Sequence, residues 1–333
     1  MNNGLGFLVC AAIIFLAGRK LSFYGERIAE KTGLGKAWIG LILMASVTSM
    51  PELMVGISST AIVGSADLAV GDILGSCIFN LAILAMLDLF VPRHQHLFYV
   101  ASSSRHILSA AFGMILVAMA GLGLFLENDL VLIPGIGIMS FIFLFIYLLS
   151  IRIIFRFETA LKASETASEE GGKETASLRQ LIFRYALFAL ITISAALFIP
   201  YFAEKIAVQT GLGNSFVGTF FIAASTSLPE IAVSIAAVRF GSVDLAIANL
   251  FGSNIFNILI LAFDDLFYTK GILLKDASDG HIITAFSCLI MNAIAIAGFT
   301  YRAPKKKFLM SIDAFLILAF YMINMFLLYH LKK

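Results

Sequence analysis

The chain has 333 residues, of which 60% are hydrophobic and only 13% charged, with a formal net charge of +2. A soluble domain carries about 45–50% apolar and about 25% charged residues, so this composition describes a polytopic membrane protein and excludes a nucleic-acid-binding one. Cys10, Cys77 and Cys288 stand apart on apolar segments and the five histidines show no ligand spacing, which excludes a disulfide framework and a zinc site.

A membrane-spanning helix takes about 20 predominantly apolar residues. Ten segments qualify in chain order: 4–18, 37–63, 66–91, 107–126, 130–154, 180–201, 214–238, 243–267, 281–300 and 309–330. The first lacks a basic start and a cleavage site, so it reads as a retained helix and not a signal peptide. Between the fifth and sixth lies a polar stretch, "FETALKASETASEEGGKETASLRQ", rich in Ser, Thr and Glu and broken by Gly-Gly. It reads as a cytoplasmic linker over 156–179, dividing a five-helix N-terminal half (1–155) from a five-helix C-terminal half (180–333). Placing the N-terminus outside puts 18 of the 23 Lys and Arg residues on the cytoplasmic side. The positive-inside rule then predicts both termini to be extracytoplasmic.

The chain repeats itself. "TGLGKAWIGLILMASVTSMPE" (32–52) lies over "TGLGNSFVGTFFIAASTSLPE" (210–230) with 10 of 21 positions identical. One residue is then deleted, and "SADLAVGDILGSCIFNLAILAMLDLF" (65–90) lies over "SVDLAIANLFGSNIFNILILAFDDLF" (242–267) with 15 of 26 identical. Apolar composition cannot produce shared Pro, Glu, Asn and Gly-Ser at fixed places. Five spans per half is an odd number, so the second copy enters the membrane from the opposite side. That is the inverted repeat of secondary transporters, whose binding site lies at the midplane where the repeats meet.

An intramembrane acid is costly and marks a function by default, and Glu52 and Glu230 occupy matching mid-span positions. Pro51 and Pro229 precede them. Each lacks the N–H that would close onto the carbonyl of Val47 or Ser225, so the helix is expected to break there and bare carbonyl oxygens. Each acid then falls at the positive start of the following half-helix. With the hydroxyls of Thr48, Ser49, Thr226 and Ser227 these groups make an all-oxygen set suited to hard cations such as Ca²⁺ and Na⁺. Asp72, Ser76 and Asn80 recur every four residues, as do Asn249, Ser253 and Asn257, so each trio lines one face of its helix. Gly75 and Gly252 would allow close helix approach. Asp72 could attract cations in a vestibule or cap the start of its helix. Two carboxylates neutralise one divalent cation and equally accept Na⁺ ions or two protons, which is the logic of an antiporter. No histidine, metal triad or Ser/Lys dyad accompanies the acids, so an enzyme is not expected.

"TSMPE" with "GSCIFN", and "TSLPE" with "GSNIFN", resemble the two alpha-repeats of the calcium/cation antiporter superfamily, in particular the sodium/calcium exchangers. The resemblance places the alpha-repeats at about 37–90 and 215–267. It implies an all-α membrane protein of ten transmembrane helices in two inverted five-helix repeats, with broken helices at the midplane. It implies Na⁺/Ca²⁺ exchange by alternating access, four ion sites in a diamond, and Ca²⁺ and Na⁺ bound as substrates with no cofactor. Glu52 and Glu230 would be the central ligands, and Thr48 and Thr226 would offer backbone carbonyls to Ca²⁺. Ala45, Thr48, Ser49, Glu52 and Ser76 would line one outer Na⁺ site. Ala223, Thr226, Ser227, Glu230 and Ser253 would line the other, with Asn80 and Asn257 at the middle position. Spans 1 and 6 would form a sliding bundle that gates access.

The chain departs from the family pattern at several positions. Val47 and Ser225 stand where glycine is usual, Cys77 replaces the Asn of "GSN", and Asp72 replaces an Asn. Asn257 stands where potassium-dependent members carry Asp, which argues against K⁺ coupling. The absence of a "GNAVE"-type motif argues against proton coupling. The expectation is a monomeric exchanger in the cell membrane, the inner membrane in a bacterium. An H⁺-coupled Ca²⁺ exchanger, or one for Mg²⁺ or Mn²⁺, is the alternative, ahead of a cation channel.

Overall fold

The computed structural model describes residues 3–92, 96–101, 103–126, 131–133, 135–164, 177–209, 224–301, 306 and 308–331. The long helices are α1 (Asn3–Thr32), α2 (Lys36–Val63), α3 (Ala66–Leu87), α4 (Ser103–Phe125), α5 (Ile138–Ser164), α6 (Leu178–Gln209), α7 (Leu228–Arg239), α8 (Val243–Phe267), α9 (Gly280–Tyr301) and α10 (Ile312–Leu331). Among the described residues, nine helices are long and apolar enough to cross a membrane. The segment 210–223, which holds the start of the seventh expected span, lies outside the described residues.

Three boundaries differ from the sequence expectation. The first helix continues past residue 18 to Thr32, because "GRKLSFYGERIAEKT" is polar but made largely of good helix formers. It ends at Gly33, whose φ of 68° only glycine adopts cheaply. The fifth span does not begin at residue 130. Val131–Ile133 (β1) and Ile136–Gly137 (β2) pair as an antiparallel hairpin about Gly135, whose φ is 85°. Pro-Gly in "VLIPGIG" is a turn signal that outweighs the apolar character of the stretch. At its far end the same helix runs on to Ser164, into the stretch read as linker.

Burial ranks the helices. In their most apolar windows, 89% of α8 and 72% of α3 is buried, against 33% or less for α1, α5, α6 and α10. The outer helices present Leu8, Leu16, Phe145, Phe183 and Phe315 outward, as surfaces facing lipid require. α3 and α8 pack on each other and on α2. The backbones of α2 and α8 touch: a Cβ on Gly252 would collide with the backbone of Leu41, and one on Gly40 with the carbonyl of Leu245. Such small residues permit close helix approach without a hydrophobic driving force.

Each half leans on the other. α1 packs along α6 and α7, and Ser22 donates to the Val233 carbonyl of α7 (2.6 Å). Tyr185 of α6 donates to the Leu43 carbonyl of α2 (3.0 Å). The corners of the two repeats are alike. Gly64 and Gly241 carry φ of 68° and 82°, and the next residues, Ser65 and Ser242, donate their N–H groups to Ser59 and Ala237 (both 2.9 Å).

A matched pair of acids ties down the loops after α3 and α8. Asp88 accepts from the N–H groups of Leu97 (3.0 Å) and Ser311 (2.8 Å) and pairs with Lys306 (3.2 Å). Asp265 accepts from the N–H groups of Gly137 and Leu273 (both 2.8 Å) and from the Ser140 hydroxyl (2.6 Å).

Candidate functional site

Both proline motifs interrupt their helices in the same way. Helix Ala45–Thr48 stops and Met50–Ile57 begins, with Ser49 between them at φ −88°, ψ 10°. In the second repeat, Ser227 at φ −81°, ψ 9° precedes Leu228–Arg239. Each proline lies at the start of the new helix, where its missing N–H is least costly. Each glutamate sits in that first turn. Serine at this position ordinarily caps its own helix through its hydroxyl, yet neither Ser49 nor Ser227 does so.

The hydroxyls are used elsewhere. Ser49 donates to Glu230 Oε1 (3.1 Å), across the boundary between the repeats, and Ser227 donates to Glu52 Oε1 (3.2 Å). The serines of the following helices complete the set: Ser253 donates to Glu230 Oε1 (3.2 Å) and Ser76 to Glu52 Oε1 (3.4 Å). Each acid is therefore held by one hydroxyl from its own repeat and one from the other. Glu52 is 1% exposed and Glu230 0%. An ionised acid at mid-membrane costs about 2.5–3.5 kcal/mol, and a hydrogen bond to a charged group contributes about 1.5–3 kcal/mol. Two hydroxyls and a helix start thus offset part of the burial cost of each carboxylate. The second oxygen of each, Oε2, has no protein partner among the described residues. The chemistry left open is that of two carboxyl oxygens able to take a cation or a proton.

Around this core the polar side chains are buried throughout. Thr48 and Thr226 are 0% exposed. The Thr48 hydroxyl lies 3.4 Å from both Asn249 Oδ1 and Ser253 Oγ. Asn249 in turn donates to Ser234 Oγ (3.2 Å). Asn80 donates to Asn254 Oδ1 (3.0 Å), and Asn254 donates to the Cys77 carbonyl (3.2 Å). Asn257, the counterpart of Asn80, has no amide partner of that kind among the described residues and faces the Cys77 thiol instead. The repeat explains the difference. The residue matching Asn254 in the first copy is Cys77, whose thiol cannot supply the amide oxygen that Asn80 enjoys.

Asp72 neither caps its helix nor sits in an open vestibule. The cap of α3 is Ser65, whose hydroxyl accepts from the Leu68 N–H (3.3 Å), and Asp72 is 3% exposed inside the bundle. The structure thus gathers two hydrogen-bonded clusters at the centre, Glu52 with Ser227 and Ser76, and Glu230 with Ser49, Ser253 and Thr48, each drawing on both repeats, with Ala45 and Thr226 buried on the same two interrupted segments. Asn80 and Asn257 do not touch the acids by hydrogen bonding. Asn80 bonds to Asn254 instead, because the helix crossing brings those two amides together. Ala223 lies outside the described residues.

The family model described as sodium/calcium exchanger protein matches residues 3–155 and 180–330. The chain belongs to the sodium/calcium exchanger family. A putative antiporter, CaxA, of Alkalimonas amylolytica is 30% identical over 260 residues, covering 77% of this chain and 76% of that protein. The inner membrane protein YrbG of Escherichia coli is 29% identical over 264 residues, covering 76% of each. Sodium/calcium exchanger MaX1 of Methanosarcina acetivorans is 32% identical over 146 residues, covering 42% of each. The fold is that of a solved sodium-calcium exchanger, NCX_Mj, with a TM-score of 0.71, 21% identity, and coverage of 96% of this chain and 97% of that one. This exchanger-family chain is accordingly a multi-pass membrane antiporter for cations and not an enzyme.

The sequence reading passed over three residues that the structure brings forward: Asn254, Ser234 and Asp264. All are buried, and each stands where the two repeats differ, opposite Cys77, Gly56 and Leu87. The differences within a well-matched repeat were the available signal.

Proposed function

We propose that the chain is a Na⁺-driven Ca²⁺ antiporter in which Glu52 and Glu230 are the central cation ligands. The observation that carries this reading is the reciprocal hold on the acids. Because each carboxylate takes a hydroxyl from both repeats, a cation bound between them would be bound by both repeats at once. Moving one repeat against the other would then change its coordination, which is the physical requirement for alternating access.

Ca²⁺ takes six to eight oxygens. Glu52 and Glu230 supply charge enough to neutralise it, and the carbonyls of Thr48 and Thr226 with the surrounding hydroxyls supply the rest. Na⁺ would occupy flanking positions, one lined by Ala45, Thr48, Ser49, Glu52 and Ser76, the other by Ala223, Thr226, Ser227, Glu230 and Ser253, with Asn80 and Asn257 at the middle. α1 and α6 would gate the two faces, each bonded across to the opposite half through Ser22 and Tyr185. The halves 1–155 and 180–333 would act as inverted units in a monomer, with both termini extracytoplasmic and the linker cytoplasmic.

Uptake of ⁴⁵Ca²⁺ into proteoliposomes tests the proposal. Uptake should require internal Na⁺, fail with internal K⁺, and disappear in Glu52→Gln and Glu230→Gln. A second reading is favoured by Asn257, which leaves the centre with two carboxylates that two protons would balance equally well. Uptake driven by a pH gradient and indifferent to Na⁺ would establish that reading. Absence of Ca²⁺ flux under every gradient would overturn both.

A further inference from the structure

Outside the two central clusters, Asp72 on α3 and Asp264 on α8 are also buried within the bundle, 3% and 0% exposed. None of their four carboxylate oxygens has a hydrogen-bond partner among the described residues. Asp72 lies within electrostatic reach of both Asp264 and Glu52. The Asp264 carboxylate rests against Gly56, one helical turn beyond Glu52, where any Cβ would collide with both its oxygens.

The other repeat has nothing of the kind. The residues matching Asp72, Gly56 and Leu87 are Asn249, Ser234 and Asp264. Asn249 and Ser234 close on each other by a hydrogen bond (3.2 Å), leaving no charge there to balance. In the first repeat the amide has become an acid and the serine a glycine, and the second acid arrives from α8 into the room the glycine leaves. Three positions differ together, and the result is a pair of acids on one side of the centre with no counterpart on the other.

We propose that Asp72 and Asp264 form a second cation site, for a divalent cation of the Ca²⁺ class, one helical turn from Glu52 toward the Gly64 corner. Two carboxylates match the charge of one divalent ion, and such ions take carboxylate oxygens and complete their shell with water. Intramembrane acids without protein partners mark ion pathways. Glu52 and Glu230 each hold two hydroxyls, whereas Asp72 and Asp264 hold none among the described residues, which leaves all four of their oxygens open to a cation. The identity of the ion rests on the exchanger reading.

Equilibrium binding of ⁴⁵Ca²⁺ to the purified full chain in Na⁺-free buffer tests the site. Wild type should bind twice the Ca²⁺ that Asp72→Asn or Asp264→Asn binds, and Asp264→Leu, which restores the residue of the matching position, should behave like Asp264→Asn. Glu52→Gln with Glu230→Gln should remove the other half. Unchanged stoichiometry in all three Asp variants, with binding still lost in the Glu variants, would overturn the second site and leave the exchanger reading standing. Uptake of protons by the wild type on acidification, lost in the Asp variants without any change in Ca²⁺ bound, would also overturn it. No Ca²⁺ bound by wild type would overturn both readings. Size-exclusion profiles identify any variant that fails to fold, and the two Asp positions serve as independent checks.

Discussion

Ser49→Ala removes one hydroxyl and tests the reciprocal hold directly. The side chain lost is the donor to Glu230 Oε1 at 3.1 Å, and Ser253 continues to donate to the same oxygen at 3.2 Å. Alanine is smaller and creates no collision, and Ser49 does not cap its own helix, so the half-helix that starts with Pro51 should persist. A hydrogen bond to a charged group is worth about 1.5–3 kcal/mol. With a second donor left in place the lower part of that range applies, about 1.5–2 kcal/mol, or roughly 10- to 30-fold in affinity. The half-saturating Ca²⁺ concentration for Na⁺-dependent uptake should rise by that factor. Ser227→Ala should match it, because Ser227 stands in the same relation to Glu52 (3.2 Å). Combining Ser49→Ala with Ser253→Ala should cost more than the sum of the single changes, since the carboxylate oxygen then loses its last hydroxyl. A shift of less than about twofold in Ser49→Ala, or a large effect there with none in Ser227→Ala, would refute the idea that both repeats share both acids.

Two further variants probe the scaffold. Gly252→Ala places a methyl against the backbone of Leu41 and the side chain of Ala45, an overpacking that should cost about 1–3 kcal/mol; a thermal melt of the detergent-solubilised protein should fall accordingly and fall further for Gly252→Val. An unchanged melt would mean that α2 and α8 are not in backbone contact. Asp265→Ala should cost about 3 kcal/mol, because it orphans the N–H groups of Gly137 and Leu273 and the hydroxyl of Ser140. Asp265→Asn should recover part of that loss, since an amide oxygen still accepts; equal melts for the two variants would show that the charge, and not the acceptor, secures these loops.

Much of this arrangement was legible in the residues because inverted repeats write the same instruction twice. A single Pro-Glu break in an apolar helix is ambiguous between packing and function, whereas Pro51-Glu52 and Pro229-Glu230 at matched positions are not. The period of four placed Ser76 and Ser253 on the faces that meet the acids, as the structure has them. Hydropathy failed where local turn chemistry competed with it. The stretch 131–137 is apolar enough to extend a span, but Val131–Ile133 pairs with Ile136–Gly137 as strands, and residues 19–32 are too polar to count as span yet continue the helix. Pairing across the bundle was the least legible feature. Nothing in the spacing of Asn80 says that its partner is Asn254 on another helix, since that contact depends on the angle at which α3 and α8 cross.

The differences between the repeats then carry information that their identities cannot. A strictly duplicated site would present the same groups to both faces of the membrane, and binding would be equal from either side. The identical residues here, the two Glu and the four Ser, make the hydroxyl–carboxylate bonds at the centre, where under the proposed exchange equality would be useful, because the same cation would be held in either orientation. The unlike residues lie away from those contacts. Cys77 opposite Asn254 leaves Asn257 without the partner that Asn80 has, and Gly56 opposite Ser234 leaves room for Asp264 beside Asp72. Two acids without donors are costly inside a bilayer, so if the proposed Asp72–Asp264 site holds a cation, the departure from symmetry would make the two ends of the pathway bind cations unequally.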